Sequence, residues 1–488
     1  MDKISLNNLI KILIAINAIC IPIQASIMYA LKLPSLFQLI YVFIIISAGV
    51  CIFIPYKKII KSIDKTFVIL FCLLILVNII SICINYDSVI NYGLNFKYYV
   101  KNYSLFWDSP EVRMFNWGIL RPIIFFAYIC ILFIFLNTKD GIKIHLKSLL
   151  YLTFLTVLYS TYQFFAFKFG LPFGAIFSGH DGEEITLFGM RRLEGIFFEP
   201  GPQASFLTII VPILLYQLYE TDSSKILIKK RYGIFLFILS VIIYLLTLSP
   251  IAFIAIILLF ISQIYLNRHK IILTLNKNLK KAFLALLSIS IFIFSFIIFI
   301  NLGTENSSHS NILGYIESKI VISMSDTSGY NEYSHPDSRS LRNQAGMTMF
   351  ENNPIFGVAP GGAITHYARL TPFTRTGTFI LDTQTLLNTY IRFMAEVGIV
   401  GFIIFLIIVY YPVFQFIKNR KLIEFSSEKN LIYGLLFSYI FHIVLTYQAN
   451  PYFWMALNWM IYVPLVILTK KQRLIQNNIG VLNEKSMD

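Results

Sequence analysis

Apolar runs of about 18 or more residues recur along this chain, and that repetition limits its fold more than any other feature. In lipid every backbone N–H and C=O must find its partner inside the segment, so such runs become helices. The chain has 488 residues, 57% of them hydrophobic and only 13% charged. A soluble core could not hide that much apolar surface. By the length rule we expect about twelve spans: 8–30, 36–56, 66–84, 117–137, 147–166, 203–218, 232–248, 250–266, 282–301, 398–417, 431–447 and 451–469. The expected fold class is all-α, a polytopic integral membrane protein. Lys3 and Lys11 ahead of the first run resemble a signal peptide, but further spans follow at once, so a retained first helix is expected.

The net charge of +15 raises the question of nucleic acid. Its placement excludes that class, because Lys and Arg fall in short patches between apolar runs. Lys57, Lys58, Lys61 and Lys65 follow the second span, Lys225, Lys229, Lys230 and Arg231 the sixth, and Lys470, Lys471 and Arg473 the last. The remaining patches also follow even-numbered spans. By the positive-inside rule both termini are cytoplasmic. The longer segments 85–116, 167–202 and 302–397 then lie outside. The chain divides into spans 1–9 with their motif loop (1–301), a large extracytoplasmic loop (302–397), spans 10–12 (398–469) and a cytoplasmic tail (470–488). In the large loop, Ser340 to Phe350 reads as a helix on the membrane surface. Asn352, Asn353 and Pro354 end it, and Gly357, Pro360, Gly361 and Gly362 make a turn.

Three stretches carry chemistry. The first is Arg191 to Leu207, RRLEGIFFEPGPQASFL, with two arginines and two glutamates at the rim of an apolar run. Charge there is costly unless it faces protein or water. Gly195, Pro200, Gly201 and Pro202 shape a stiff turn before a helix expected to start near Gln203. A helix N-terminus favours anions, and arginine adds a planar fork for phosphate oxygens. Glu199 beside arginine stays ionised and can accept a proton from a sugar hydroxyl. The blander reading is that Arg192 and Glu199 pair, or that Arg191 and Arg192 snorkel. In the second stretch, Arg339 and Arg342 stand three apart and share a helix face, suited to a diphosphate or simply solvated. The third is Leu386 to Gly401, where Asn388 and Tyr390 could contact a sugar. Arg392 and Glu396 read as a structural i,i+4 ion pair, and His442 as a packed core histidine. The five cysteines lie in apolar runs without metal spacing, and no disulfide framework or metal site is expected. P-loop, GxGxxG and zinc spacings are missing, so no cofactor is expected and the substrate must arrive already activated.

At these residues the chain resembles the O-antigen polymerase and O-antigen ligase superfamily of bacterial envelope polysaccharide assembly. The likeness rests on Arg192-x-x-Gly195-x-Phe197-x-Glu199-Pro200 with Ala204, on Arg339, Ala345, Pro354, Gly357 and Gly361, and on Asn388-Thr389-Tyr390 followed by Glu396-x-Gly398-x-x-Gly401. Many ligases carry a histidine just before that asparagine. Leu387 stands here, which favours a polymerase. The resemblance implies a GT-C-type membrane fold and metal-independent transfer of a glycan from an undecaprenyl pyrophosphate carrier in the inner membrane. Arg192, Arg339 and Glu199 would be catalytic, and Arg191, Arg342, Tyr390 and Asn388 would bind substrate. The acceptor would be a second lipid-linked repeat unit for a polymerase or lipid A–core for a ligase. O-antigen and capsule are both open, and a chain-length regulator and a flippase of the same pathway are implied as partners. A flippase for the same lipid is the rival class; it would need charge deep in its helices rather than in external loops.

Overall fold

The computed structural model describes residues 3–31, 39–96, 109–172, 186–187, 190–197, 199–220, 222, 226–249, 251–259, 261–262, 338–363, 365–366, 386, 388–447 and 456–485. The apolar runs among them are helices: α1 (Lys3–Cys20), α2 (Gln24–Ala30), α3 (Leu39–Cys51), α4 (Tyr56–Ser62), α5 (Lys65–Phe96) and α6 (Pro110–Phe115). A π-helical turn (Asn116–Leu120) leads into α7 (Arg121–Leu136), followed by α8 (Gly141–Phe169), α9 (Pro200–Leu218), α10 (Lys230–Leu246), α11 (Ser338–Asn352) and α12 (Thr389–Glu424). Then come α13 (Lys429–Phe441), a second π turn (His442–Thr446) and α14 (Ala456–Lys485). Residues 251–259 are helical too. Among the described residues the exception is a two-residue antiparallel pair, β1 (Thr186–Leu187) and β2 (Met190–Arg191), with Thr186 opposite Arg191.

Six helical segments among the described residues are long and apolar enough to cross a membrane: Lys65–Asn91, Glu111–Leu136, Gly141–Phe169, Pro200–Leu218, Thr389–Glu424 and Lys429–Thr446. Shorter apolar helices cover Ser5–Cys20 and Leu39–Cys51. Of the expected spans, 282–301 lies outside the described residues. The expected span 8–30 is not continuous, because the chain turns at 21–23, where Pro22 has no N–H to continue the ladder. The third span runs on through Phe96, so 85–96 is helix rather than loop. The tail continues α14 to Lys485.

What sorts these helices is how much of their circumference is apolar and buried. α9 is buried along nearly its whole length, as expected of a helix at the centre of a bundle. It packs on α10 and α13. Gly434 lets α13 approach Pro212, Ser438 Oγ donates to Ile209 O at 2.5 Å, and Tyr216 stacks on Tyr433 and Phe437. α5 is built the other way, with Ile69, Leu73, Leu76, Ile80 and Ile84 exposed on one face. Its polar Asn78 and Ser81 are buried and tied to the protein; Asn78 Nδ2 donates to Gly118 O at 3.1 Å. Apolar outside and polar inside is the arrangement lipid selects.

One end of the bundle is closed by charge. Asp64, 5% exposed, accepts hydrogen bonds from Thr66 N and Phe67 N at the start of α5. Tyr411 Oη donates to the same carboxylate, and Lys470 forms its ion pair. Nearby, Lys471 Nζ and Gln472 Nε2 reach Glu428, both at 2.9 Å. The helix ends at Asp64, Tyr411, Glu428 and Lys470 thus share one face.

Candidate functional site

The first stretch is a turn seated on three helices. α9 begins at Pro200 rather than near Gln203, since proline at the first helical position has φ preset and no N–H to leave unpaired. Glu199 is the N-cap residue, extended at φ −148 and ψ 159, exposed, with no side-chain cap hydrogen bond. Below it, Gly195 N donates to Gln163 Oε1 of α8 at 2.8 Å, and Gln203 Nε2 donates to Ser160 Oγ at 2.7 Å. Phe197 packs on Phe206, with ring centroids 5.2 Å apart. Arg192 faces the end of α10: its Nε donates to Thr247 O at 3.0 Å, and Leu193 N donates to Leu246 O at 3.3 Å. A helix C-terminus has unused carbonyls and a partial negative charge, so a guanidinium suits it. Glu194 is buried, close to Tyr159. Arg191 lies in β2; its side chain is outside the described part.

The second and third stretches form one unit. α11 ends at Asn352, where Asn353 N still donates to Met349 O. The chain then folds back against α12. Gly357 and Gly398 have φ of 67 and 62, and each lies where a Cβ would overlap the other segment's backbone. Only glycine adopts that conformation and that approach without strain. Across the contact Val358 N donates to Ala395 O and Ile399 N to Pro354 O, both at 2.8 Å. Ser81 Oγ of α5 donates to Phe356 O at 2.5 Å and lies 3.1 Å from Glu396 O. Gly398 is also non-helical, so α12 is two segments meeting there. Gly346 seats α11 against Ile391 and Leu386. Arg339 and Arg342 stand in the first turn of α11; their side chains are outside the described part.

Asn388 caps α12, its Oδ1 accepting from Tyr390 N and Ile391 N at 2.9 and 3.2 Å. Tyr390 Oη donates to Ile443 O, a carbonyl of the second π turn, at 2.8 Å. That turn extends α13, which packs on α9, so the two units are linked through the core. His442 is buried with Nδ1 2.9 Å from Thr446 Oγ1, a hydrogen-bonded core histidine. Arg392 and Glu396 form the i,i+4 pair, Nε to Oε2 at 3.1 Å. The structure adds two residues: the Trp117 ring lies 3.9 Å from Arg392 Cζ and 3.6 Å from Arg121 Cζ. Arg121 was legible as a charge inside an apolar span, which marks function by default; its partner across the fold was not. Among the described residues no three of His, Cys, Asp or Glu are arranged to hold a metal, and all five cysteines are free.

The helical body and these two charged units define a polytopic membrane protein that gathers guanidinium groups around the ends of its helices. Residues 235–406 match the family model described as O-antigen ligase, which supports the chain's place in the O-antigen ligase and polymerase superfamily. The match covers less than half of the chain. It encloses the second and third stretches up to Gly401, while the first lies before it. No curated protein matches the chain.

Proposed function

We propose that the chain is a membrane glycosyltransferase that polymerises glycan repeat units carried on undecaprenyl pyrophosphate, at the outer face of the inner membrane. The observation that carries this reading is the interlock of Pro354–Gly362 with Ala395–Val400, inside the range that matches the ligase family. It fixes the helix bearing Arg339 and Arg342 on the start of α12, giving arginines a rigid support from which to meet a diphosphate. In this reading Arg339, Arg192 and Arg342 stabilise the diphosphate as it leaves with growing charge. Arg191, Tyr390 and Asn388 face substrate. Glu199, exposed at the start of α9, takes the proton of the acceptor hydroxyl, which attacks the anomeric carbon as the carbon–oxygen bond to the diphosphate breaks. Configuration inverts in that single displacement. No metal enters the scheme, the termini are cytoplasmic, and O-antigen or capsular polysaccharide is the product.

The family description favours a second reading, in which the acceptor is lipid A–core and the protein is a ligase. Leu387, where many ligases have histidine, favours the polymerase. Purified protein supplied with a lipid-linked repeat separates them. A ladder of products from the repeat alone is the polymerase result. Transfer only when lipid A–core is added is the ligase result. Absence of product in both arms would remove glycosyl transfer altogether.

A further inference from the structure

We propose that Arg121 and Arg392, with Trp117 between them, form a binding site for a phosphate-type oxyanion, separate from the Arg192 turn. Arg392 is 2% exposed, and Glu396 takes only its Nε. Its Nη1 and Nη2 are buried and have no hydrogen-bond partner among the described residues. A buried guanidinium left that way is costly, because its donors have given up water for nothing. The second cation deepens the deficit. Two guanidinium carbons 3.6 and 3.9 Å from one indole centroid cannot share a face without overlapping, so Arg121 and Arg392 flank the ring. Cation–π attraction holds each of them there, but it does not neutralise them. Among the described residues Glu396 is the one carboxylate paired in this stack, so two cations face one anion. An oxyanion that offers two oxygens to the vacant Nη pair would satisfy both the donors and the charge.

The geometry also supplies an entrance. Arg121 and Trp117 are half-buried, so the outer guanidinium meets an anion first. Trp117 stands on the first π turn, a helical irregularity that recurs at functional sites. Gly361 brings the large loop's turn close to the Cδ1 edge of Trp117. Nη1 and Nη2 are buried, so an anion reaches them only when a side chain of the stack moves. The site stands without any assumption about activity. The source of the phosphate rests on the polymerase reading: a polymerase holds two lipid-linked diphosphates at once, the donor's and the acceptor's, and this site receives one of them.

The test uses full-length protein in detergent carrying Arg192→Gln and Arg339→Gln, so that those two guanidiniums are absent. Inorganic pyrophosphate is titrated while tryptophan emission is followed, with Trp117→Phe as the control that isolates Trp117. We expect a saturable change that the control lacks. Arg392→Gln and Arg121→Gln should each weaken binding by about 10- to 100-fold, the range for charged hydrogen bonds. Arg392→Lys should fall between, since a point charge cannot replace the fork. If Arg392→Gln does not accumulate, Arg121→Gln carries the test. No response to pyrophosphate, or equal affinity in Arg121→Gln, would overturn the site and leave water as the occupant. Undecaprenyl pyrophosphate should compete with the probe; if it does not, the lipid assignment falls. A protein that binds pyrophosphate here yet makes no polymer would overturn the polymerase reading and leave the anion site standing.

Discussion

The turn at 192–203 and the stack at Trp117, Arg121 and Arg392 each place guanidinium groups at helix ends, but they use them differently. Arg192 directs its Nε at the last carbonyls of α10, and the turn around it is held by Gln163, Ser160 and Gln203. In the stack Arg392 is positioned just as firmly, by Glu396 and by an indole face, while no described residue accepts from the two nitrogens that make arginine a fork. A charge near lipid can therefore be structural or available, and the sequence letter does not say which. What it faces does: helix-end carbonyls for Arg192, a carboxylate and an indole for Arg392.

Substitutions can break or sharpen that contrast. The largest effect is expected at Glu199, the exposed carboxylate of the turn. Glu199→Gln keeps shape but cannot take a proton, and a positioned base is worth about 10²–10⁴ in rate. Polymerisation by purified protein should fall by that much at unchanged protein level; a wild-type ladder would strip the turn of its chemical role. Next is Gly398→Ala. A left-handed backbone at a non-glycine residue costs roughly 1–3 kcal/mol, and here the new Cβ also overlaps Ile355. Thermal unfolding in detergent should drop accordingly, and an unchanged midpoint would mean that the interlock does not hold the unit together. Third, Arg192→Gln should cost about 1.5–3 kcal/mol of stability through the lost charged hydrogen bond. Arg121→Gln should cost less, about 0.5–1 kcal/mol, for its lost cation–π contact. If the two melting curves shift in the reverse order, the contrast is wrong. The smallest effect is at Asn388. Asn388→Ala should cost about 1 kcal/mol as a lost N-cap, and Asn388→Asp almost nothing. Lost polymer with Asp, at an unshifted melting point, is the result if Asn388 faces substrate as well as capping the helix; a wild-type ladder would leave it the cap alone.

Much of this architecture could be read from residue order. Asn352, Asn353 and Pro354 stop α11 where expected, because proline bars helix in the residue before it. The spacing of Arg392 and Glu396 announced their pair. Local signals also existed where the reading went astray: Pro22 breaks the first apolar run, and Pro200 opens α9 one turn early. Other features had no local signal. Gly357 and Gly398 are legible as glycines, but their interlock brings together residues forty positions apart, and a hydropathy window cannot see it. The same holds for Trp117 and Arg392, joined only once α12 lies beside the first π turn. The roles of Arg339 and Arg342 rest on sequence, since their side chains lie outside the described part.

The charged closure at Asp64 has a consequence for how the protein is made. Its carboxylate is synthesised about 400 residues before Lys470, its ionic partner. Until then Tyr411 and two backbone amides are the described groups that meet it. Lys470 is partly exposed, so its absence costs less than the roughly 3–5 kcal/mol of a fully buried pair. A nascent chain that stops short of Ala456 therefore carries an uncompensated anion between its helices. The helix that carries Lys470 works as a latch, closing on a residue inserted long before it.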